Sequence, residues 1–132
     1  MEPRCLLVTG GYGFIGSNFI NYISERWINC KIVNYDKLTP GSSPHNISAQ
    51  LRDSSRYSLV VADLQDRQTL DRTLREHEVD MVIHFAAITH VDESYADRVG
   101  TIHDNVISTS HLLEAVCNAG YEGVKRFVHI ST

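Results

Sequence analysis

Three glycines at a spacing of three, Gly10, Gly13 and Gly16, stand in the run Val8-Thr9-Gly10-Gly11-Tyr12-Gly13-Phe14-Ile15-Gly16-Ser17. Where a strand turns into a helix, each glycine of such a pattern has its own task. The first permits the tight turn, the second lets backbone approach a pyrophosphate with no side chain in the way, and the third lets the helix pack closely. The helix start then offers free N–H groups and a positive dipole end to the phosphates. Asp36 follows Gly16 by 20 residues, the offset at which a carboxylate grips the ribose hydroxyls of an adenosine. A carboxylate there repels a 2′-phosphate, so NAD is expected over NADP, with the adjacent Lys37 as the one opposing charge. The competing readings are a glycine turn without a ligand and a nucleoside-triphosphatase phosphate loop. The spacing Gly11 to Gly16 resembles the latter, but Ser17 stands where that loop requires a lysine.

The elements that must position these residues are legible as short apolar runs alternating with helical patterns. Strands are expected at 5–9, 31–35, 57–61, 81–85 and 126–131, near-continuous apolar runs that suit a parallel sheet covered on both faces. Helices are expected at 14–27, with Ile15, Phe19, Ile23 and Trp27 on one face, and at 66–77, with Asp66 as N-cap and Leu70 and Leu74 on one side. Asp71/Arg75 and Arg72/Glu76 would pair on its other side. A third helix is expected at 95–118, with Ile102, Val106, Leu113 and Val116 as its stripe and Gly120 as its stop. Pro40-Gly41-Ser42-Ser43-Pro44 breaks the chain after the second strand, and 45–53 has room for one or two helical turns. The alternation predicts an α/β fold, a Rossmann-like doubly wound parallel sheet of five strands; right-handed crossovers leave few topologies, and the expected order is 3-2-1-4-5, the common dinucleotide-binding start. Its ligand crevice lies where strands one and four diverge, at their carboxyl ends.

Composition sets the outer bounds. With 132 residues, 42% hydrophobic and 21% charged, the chain reads as one globular domain, not a coiled coil, collagen or disordered chain. A formal net charge of −4 gives no nucleic-acid footprint. No run approaches the ~18 apolar residues of a membrane span, and no signal peptide is evident. Cys5, Cys30 and Cys117 read as buried, reduced thiols of a cytoplasmic protein. Seven histidines show no metal-ligand spacing, so no metal site is expected. His84, His103, His111 and His129 read as core-edge or solvated residues. No G-x-S-x-G supports hydrolase chemistry, and the sequon Asn46-Ile47-Ser48 is idle without a secretory signal. The literal Y-x-x-x-K of Tyr121 to Lys125 contains Gly123 and follows Gly120. It reads as a turn rather than a catalytic pair, because such a pair needs consecutive turns of one helix.

The glycine run with Asp36-Lys37-Leu38-Thr39 resembles the extended short-chain dehydrogenase/reductases. The segment His84-Phe85-Ala86-Ala87-Ile88-Thr89-His90-Val91-Asp92-Glu93-Ser94 narrows the resemblance to nucleotide-diphosphate-glucose 4,6-dehydratases, which act on dTDP-glucose or UDP-glucose. Asn105-Val106, Leu112-Leu113-Glu114-Ala115 and 126–132 resemble further segments of that family, so the likeness covers essentially the whole chain. It implies that Gly10, Gly13, Phe14, Ile15 and Gly16 cradle the NAD pyrophosphate. Asp36 would hold the ribose, with Lys37, Leu38 and Thr39 closing over the adenosine, and Asp63 and Leu64 would flank the adenine. Phe85, Ala86, Ala87, Ile88 and Thr89 would run under the pyrophosphate and nicotinamide ribose. Thr89 and His90 would face the sugar nucleotide. Thr132 matches the family's catalytic threonine, which binds the hexose 4-hydroxyl. Three departures stand out: Tyr12 for a usual alanine, Ser108 for a usual glycine, and the segment 40–45.

The resemblance also implies parts that would follow Thr132: an Asp-Glu acid–base pair, a Y-x-x-x-K helix and a sugar-binding domain. Residues 1–132 are therefore read as the N-terminal, NAD-binding part of a longer nucleotide-sugar 4,6-dehydratase, inactive alone and dimeric when whole. A related nucleotide-sugar 4-epimerase or decarboxylase, and a catalytically silent NAD-binding module or regulatory subunit, are the alternatives.

Overall fold

The structure is a computed structural model that describes residues 2–87, 91–120 and 122–131, and for residues 91–93 the backbone only. Five strands form one parallel sheet: β1 (Cys5–Thr9), β2 (Lys31–Asp36), β3 (Tyr57–Val61), β4 (Met81–His84) and β5 (Arg126–His129). Their order is β3-β2-β1-β4-β5, the order expected of a dinucleotide-binding sheet. β1 lies at the centre, pairing Leu7 with Val33 on one side and with Val82 on the other.

The two-residue period of the strands divides the core into two layers. Leu7, Val33, Tyr35 and Val82 point to the face covered by α3 (Arg67–Glu76) and α6 (Ser108–Cys117). Leu6, Val8, Ile32 and Ile83 point to the opposite face, covered by α1 (Phe14–Arg26) and α2 (Ala49–Arg52). Ile20, Leu70, Leu74 and Leu112 reach zero exposure between sheet and helices; each is worth roughly 1.5–3 kcal/mol in transfer free energy.

The helix ends follow from side-chain chemistry. Asp66 caps α3 by accepting the Thr69 N–H. The carboxyl end of α1 is held by Arg56, whose guanidinium donates to the carbonyls of Ser24 (2.6 Å), Trp27 (3.2 Å) and Cys30 (3.2 Å). It thereby satisfies orphan carbonyls and opposes the negative end of the helix dipole. The second crossover holds a 3-10 turn at Pro44–Asn46 and the single turn of α2, capped by Ser48. Gly120 takes a φ of 75°, and Gly123 one of 86°, in the connection before β5. The decoy Lys125 thus lies outside any helix, while Tyr121 falls outside the described residues.

Three helix expectations need correction. The helix expected over 95–118 is interrupted. After α4 (Val91–Ala96), Asp97 caps a new start by accepting the Gly100 N–H at 2.9 Å, and α5 (Arg98–Ile102) passes through a π-turn at His103–Ile107 into α6. A π-turn carries an extra residue per turn, so a stripe counted at 3.6 residues slips out of phase across it. Ser108, Leu112 and Ala115 are buried, whereas Ile102, Val106 and Leu113 are exposed. On α1 the buried face is Gly16, Ser17, Ile20, Ile23 and Ser24, and Ile15 is exposed. Small residues there allow close approach, which an apolar periodicity count does not register. On α3, Asp71 pairs with Arg67 (2.9 Å) rather than Arg75, because Arg67 also reaches Glu114 (2.8 Å) and Arg75 donates to the Ala119 carbonyl.

Of the three thiols, Cys5 and Cys30 are buried and Cys117 is exposed. Burial pushes Cys5 up to about 12 and Cys30 up to about 11, so both are inert. No helix among the described residues is long and apolar enough to cross a membrane.

Candidate functional site

The carboxyl ends of β1, β2, β3 and β4 bring the expected residues to one edge of the sheet. Gly10 leaves β1 with a φ of 70°, its N–H bonded to the Tyr35 carbonyl at 2.9 Å. A Cβ there would lie 2.8 Å from the backbone of Ala86, so only glycine allows the loop to lie against the segment after β4. A Cβ on Gly16 would strike the Gly10 carbonyl, and one on Gly11 would strike the Asn34 amide. Gly13 differs from all of these. Its Cβ would meet only the Gly10 carbonyl, at 3.4 Å, an ordinary contact. The protein itself leaves room for a side chain at Gly13, and what glycine preserves there is an open cradle.

That cradle sits at the amino end of α1. Gly13 is the N-cap and no side chain caps the helix. The leading N–H groups have no acceptor within the helix, and Phe14 (82% exposed) and Ile15 (61% exposed) stand beside them. With these exposed side chains flanking uncapped N–H groups, the arrangement is open to an anion.

Asp36 ends β2 and is 7% exposed. Its two oxygens accept the N–H of Tyr12 (3.0 Å) and of Leu38 (2.7 Å). Leu38 is held at a φ of 59°, in the left-handed region that a non-glycine residue enters only when its surroundings fix it. The carboxylate thus ties the glycine loop to the segment after β2, and each oxygen keeps acceptor capacity for a ribose hydroxyl. Lys37 reaches the other way, its ammonium 2.6 Å from Asp104 in the π-turn and 3.8 Å from Asp63 after β3. Thr39 is exposed and its carbonyl accepts the Ser42 N–H and hydroxyl. Asp63 is half-buried at this edge, while the Leu64 side chain, 6% exposed, points into the core below.

The departures at Tyr12 and at 40–45 prove to be linked. The Tyr12 ring is buried in the layer under α1 and α2, and its carbonyl accepts from the Asn46 side chain (2.9 Å) and the Ser43 N–H (3.3 Å). Asn21 of α1 then clamps both sides of Ile47, donating to the Asn46 carbonyl (2.8 Å) and accepting the Ser48 N–H (3.0 Å). The segment after β2 is thereby strapped onto the glycine loop.

Under the loop, Phe85 packs its ring against Phe19 at 5.4 Å, Ala86 donates its N–H to the Thr9 hydroxyl (3.3 Å), and Ala87 is exposed. The proton directions of the buried chain here can be worked out. Thr109 donates its hydroxyl to the Asn105 carbonyl (3.1 Å), so its oxygen accepts from His84 Nε2 (2.8 Å). Nδ1 is then the acceptor for the Thr9 hydroxyl at 2.6 Å. His84 is therefore neutral and protonated at Nε2, and burial, helped by His129 with its ring 5.3 Å away, lowers it to about 4. His84 is a core residue rather than a core-edge one. Ser108 donates to the His103 carbonyl (3.0 Å) across the π-turn, a partner a glycine there would lack. The expected site residues Ile88, Thr89, His90 and Thr132 lie outside the described residues.

Residue reasoning missed Asp104, Asn46 and the Thr9–His84–Thr109 chain. Asn46 was visible only as an idle sequon, and Asp104 gave no signal because its role depends on the π-turn.

Comparison with known proteins agrees with this geometry. The chain is 39% identical over 133 residues to a dTDP-glucose 4,6-dehydratase of Escherichia coli, covering 96% of this chain and 36% of that protein. It matches the structure of a dTDP-glucose 4,6-dehydratase double mutant from Streptomyces venezuelae, solved with NAD bound, at a TM-score of 0.84 and 37% identity, covering 96% of this chain and 39% of that one. A UDP-glucose-4-epimerase from Stenotrophomonas maltophila with bound NAD matches at a TM-score of 0.84 and 30% identity, covering 98% and 37%. The chain spans from about a fifth to two fifths of the length of the curated relatives it matches. The family model described as GDP-mannose 4,6 dehydratase matches residues 7–132. By that match, and by a sheet and glycine loop of the short-chain dehydrogenase/reductase type, the chain belongs to the GDP-mannose 4,6 dehydratase family.

Proposed function

We propose that this chain is the NAD-binding part of a nucleotide-sugar 4,6-dehydratase that converts dTDP-glucose or UDP-glucose to the 4-keto-6-deoxy sugar. The observation that carries the reading is the cradle at Gly13. It is open to a ligand, walled by glycines that the fold itself requires, and it opens beside a buried carboxylate, Asp36, set to receive ribose hydroxyls. These residues fit a dinucleotide. The N–H groups at the start of α1 would hold the pyrophosphate, and Phe14 and Ile15 would shield it from water. Asp36 would hold the adenosine ribose, and Asp63 with the backbone at Leu64 would border the adenine. The segment from Phe85 to Thr89 would carry the nicotinamide half, positioned through Ala86 and the Thr9–His84–Thr109 chain. NAD, when bound, supplies a two-electron acceptor for the hexose C4 hydride. In this reading Thr89, His90 and Thr132 face the sugar nucleotide, with Thr132 binding the 4-hydroxyl.

The relatives with the dehydratase name support this reading over the 4-epimerase one, which rests on structural neighbours such as the epimerase above. The whole protein is read as cytoplasmic and as a homodimer, and the exposed apolar side chains of Tyr95, Val99, Ile102, Val106 and Leu113 between β4 and β5 support the dimer. The test is to supply dTDP-glucose or UDP-glucose to the full-length protein with NAD. The 4-keto-6-deoxy product, detected by its absorbance in base, is expected. A 4-epimer instead would assign the protein to the epimerases, and neither product would leave a silent NAD-binding module.

A further inference from the structure

Asp36 explains why a 2′-phosphate is unwelcome, but Lys37 next to it is the kind of cation that accepts one. The sequence offers no reason why Lys37 should not do so. The structure does. The Lys37 ammonium is 2.6 Å from the Asp104 carboxylate, which is only 19% exposed, and the Asp63 carboxylate stands 3.8 Å away on its other side. Asp104 reaches it because it sits in the π-turn, whose widened turn moves side chains out of ordinary helical phase. That turn is fixed from inside by the Ser108 hydroxyl on the His103 carbonyl. It is fixed below by Thr109, which bonds both Asn105 and His84.

We propose that Asp104 is a specificity-determining residue, which by pairing with Lys37 withholds that neighbouring cation from a 2′-phosphate and so makes the site select NAD over NADP. The inference rests on the reading of this chain as an NAD-binding part. Two carboxylates, Asp104 and Asp63, flank one ammonium, and Asp36 adds a third negative charge, so the edge that would receive the adenosine ribose carries net negative charge. A neutral ribose hydroxyl accepts that setting, bonding to Asp36. A phosphate there meets like charge and a lysine already engaged. A charge-assisted N–H···O bond of this length is among the stronger polar contacts, and here it engages Lys37 with Asp104. Asp104 therefore touches no cofactor atom in this account and acts through Lys37.

The test is equilibrium titration of the protein with NAD and, separately, with NADP, at low salt. The wild type is expected to bind NAD and to bind NADP far more weakly. Asp104→Asn keeps the shape, removes the charge and frees Lys37. NADP should then tighten about tenfold, the size of one new charge-assisted contact, while NAD stays within about twofold. The gain should shrink in high salt. Asp104→Glu should restore the wild-type ratio, and adding Lys37→Ala to Asp104→Asn should cancel the gain. Asp63→Asn, at the longer 3.8 Å contact, should give a smaller change. Asp104→Ser serves the same purpose should the Asn variant fold poorly. If NAD binds and the Asp104 variants leave the NADP-to-NAD ratio unchanged, or weaken both equally, the proposed selectivity role is wrong. If the wild type binds neither cofactor, the underlying NAD reading fails and takes this one with it.

Discussion

His84 should make the stability of this protein fall steeply in mild acid. The ring is 1% exposed and both of its nitrogens are engaged, Nδ1 by the Thr9 hydroxyl and Nε2 by Thr109. Its ordinary value is 6.5 and in the fold it is lowered to about 4, first by burial and then by His129. In the unfolded chain the ring therefore takes up a proton near pH 6.5, while in the fold it stays neutral until about pH 4. Between those values the unfolded state binds more protons, so stability rises with pH there. The full contribution is present above pH 6.5 and is lost as pH falls toward 4. The 2.5-unit difference corresponds to about 3 kcal/mol, a large share of a typical domain's total. The measurement is urea unfolding from pH 7.5 to 4.5 in wild type and His84→Gln. The glutamine amide can still donate to Thr109 but does not titrate. At pH 7.5 the variant should be less stable by roughly 1–2 kcal/mol, since the Thr9 hydroxyl loses its acceptor. As pH falls the gap should close and then reverse. Parallel curves for the two proteins would refute the neutral, doubly bonded His84 described above.

Three further outcomes are expected. Asn46→Asp, which cannot donate to the Tyr12 carbonyl, should lower stability by about 1–2 kcal/mol. It should also weaken NAD binding several-fold by loosening the strap, with Asn46→Gln recovering part of the affinity; titration and melting on the same samples check this. Arg56→Met removes three bonds to the end of α1 and should cost about 2–3 kcal/mol, with amide exchange speeding first at 24–31. Gly16→Ala forces a Cβ onto the Gly10 carbonyl and should drop the melting temperature sharply, whether or not cofactor is present.

The strands were legible as short apolar runs, and Cys5–Thr9, buried throughout, and Tyr57–Val61, an edge strand with Leu59 and Val61 exposed, match to the residue. Crossover handedness left few strand orders, and the glycine loop favoured the one common to dinucleotide-binding sheets. The Gly16 close approach was legible because steric demand leaves a fixed residue type behind. What was illegible depended on local departures from ideal periodicity or on side chains serving backbone. The π-turn shifted the buried stripe of the long helix by an amount no 3.6-residue count contains. Asn21, Asn46 and Arg56 act on carbonyls and N–H groups, which carry no sequence identity, so their partners could not be read. Asp36 was read from its offset as a ribose ligand, but its two bonds to Tyr12 and Leu38 were not foreseen.

Those bonds decide which experiment is cleanest. Asp36→Ala would abolish ribose binding but also strand the buried Tyr12 N–H, so lost affinity and lost structure would be confounded. Gly13→Ala separates them, because its Cβ meets only an ordinary 3.4 Å contact within the protein. Calorimetric titration with NAD, on wild type and Gly13→Ala, is therefore the most direct test of the claim that the open cradle at the start of α1 is a dinucleotide site. The account predicts saturable binding by the wild type. It also predicts binding lost or weakened at least about tenfold in a variant whose unfolding free energy changes by no more than about 1 kcal/mol. Equal NAD affinity in the two proteins, or none in a folded wild type, would contradict it.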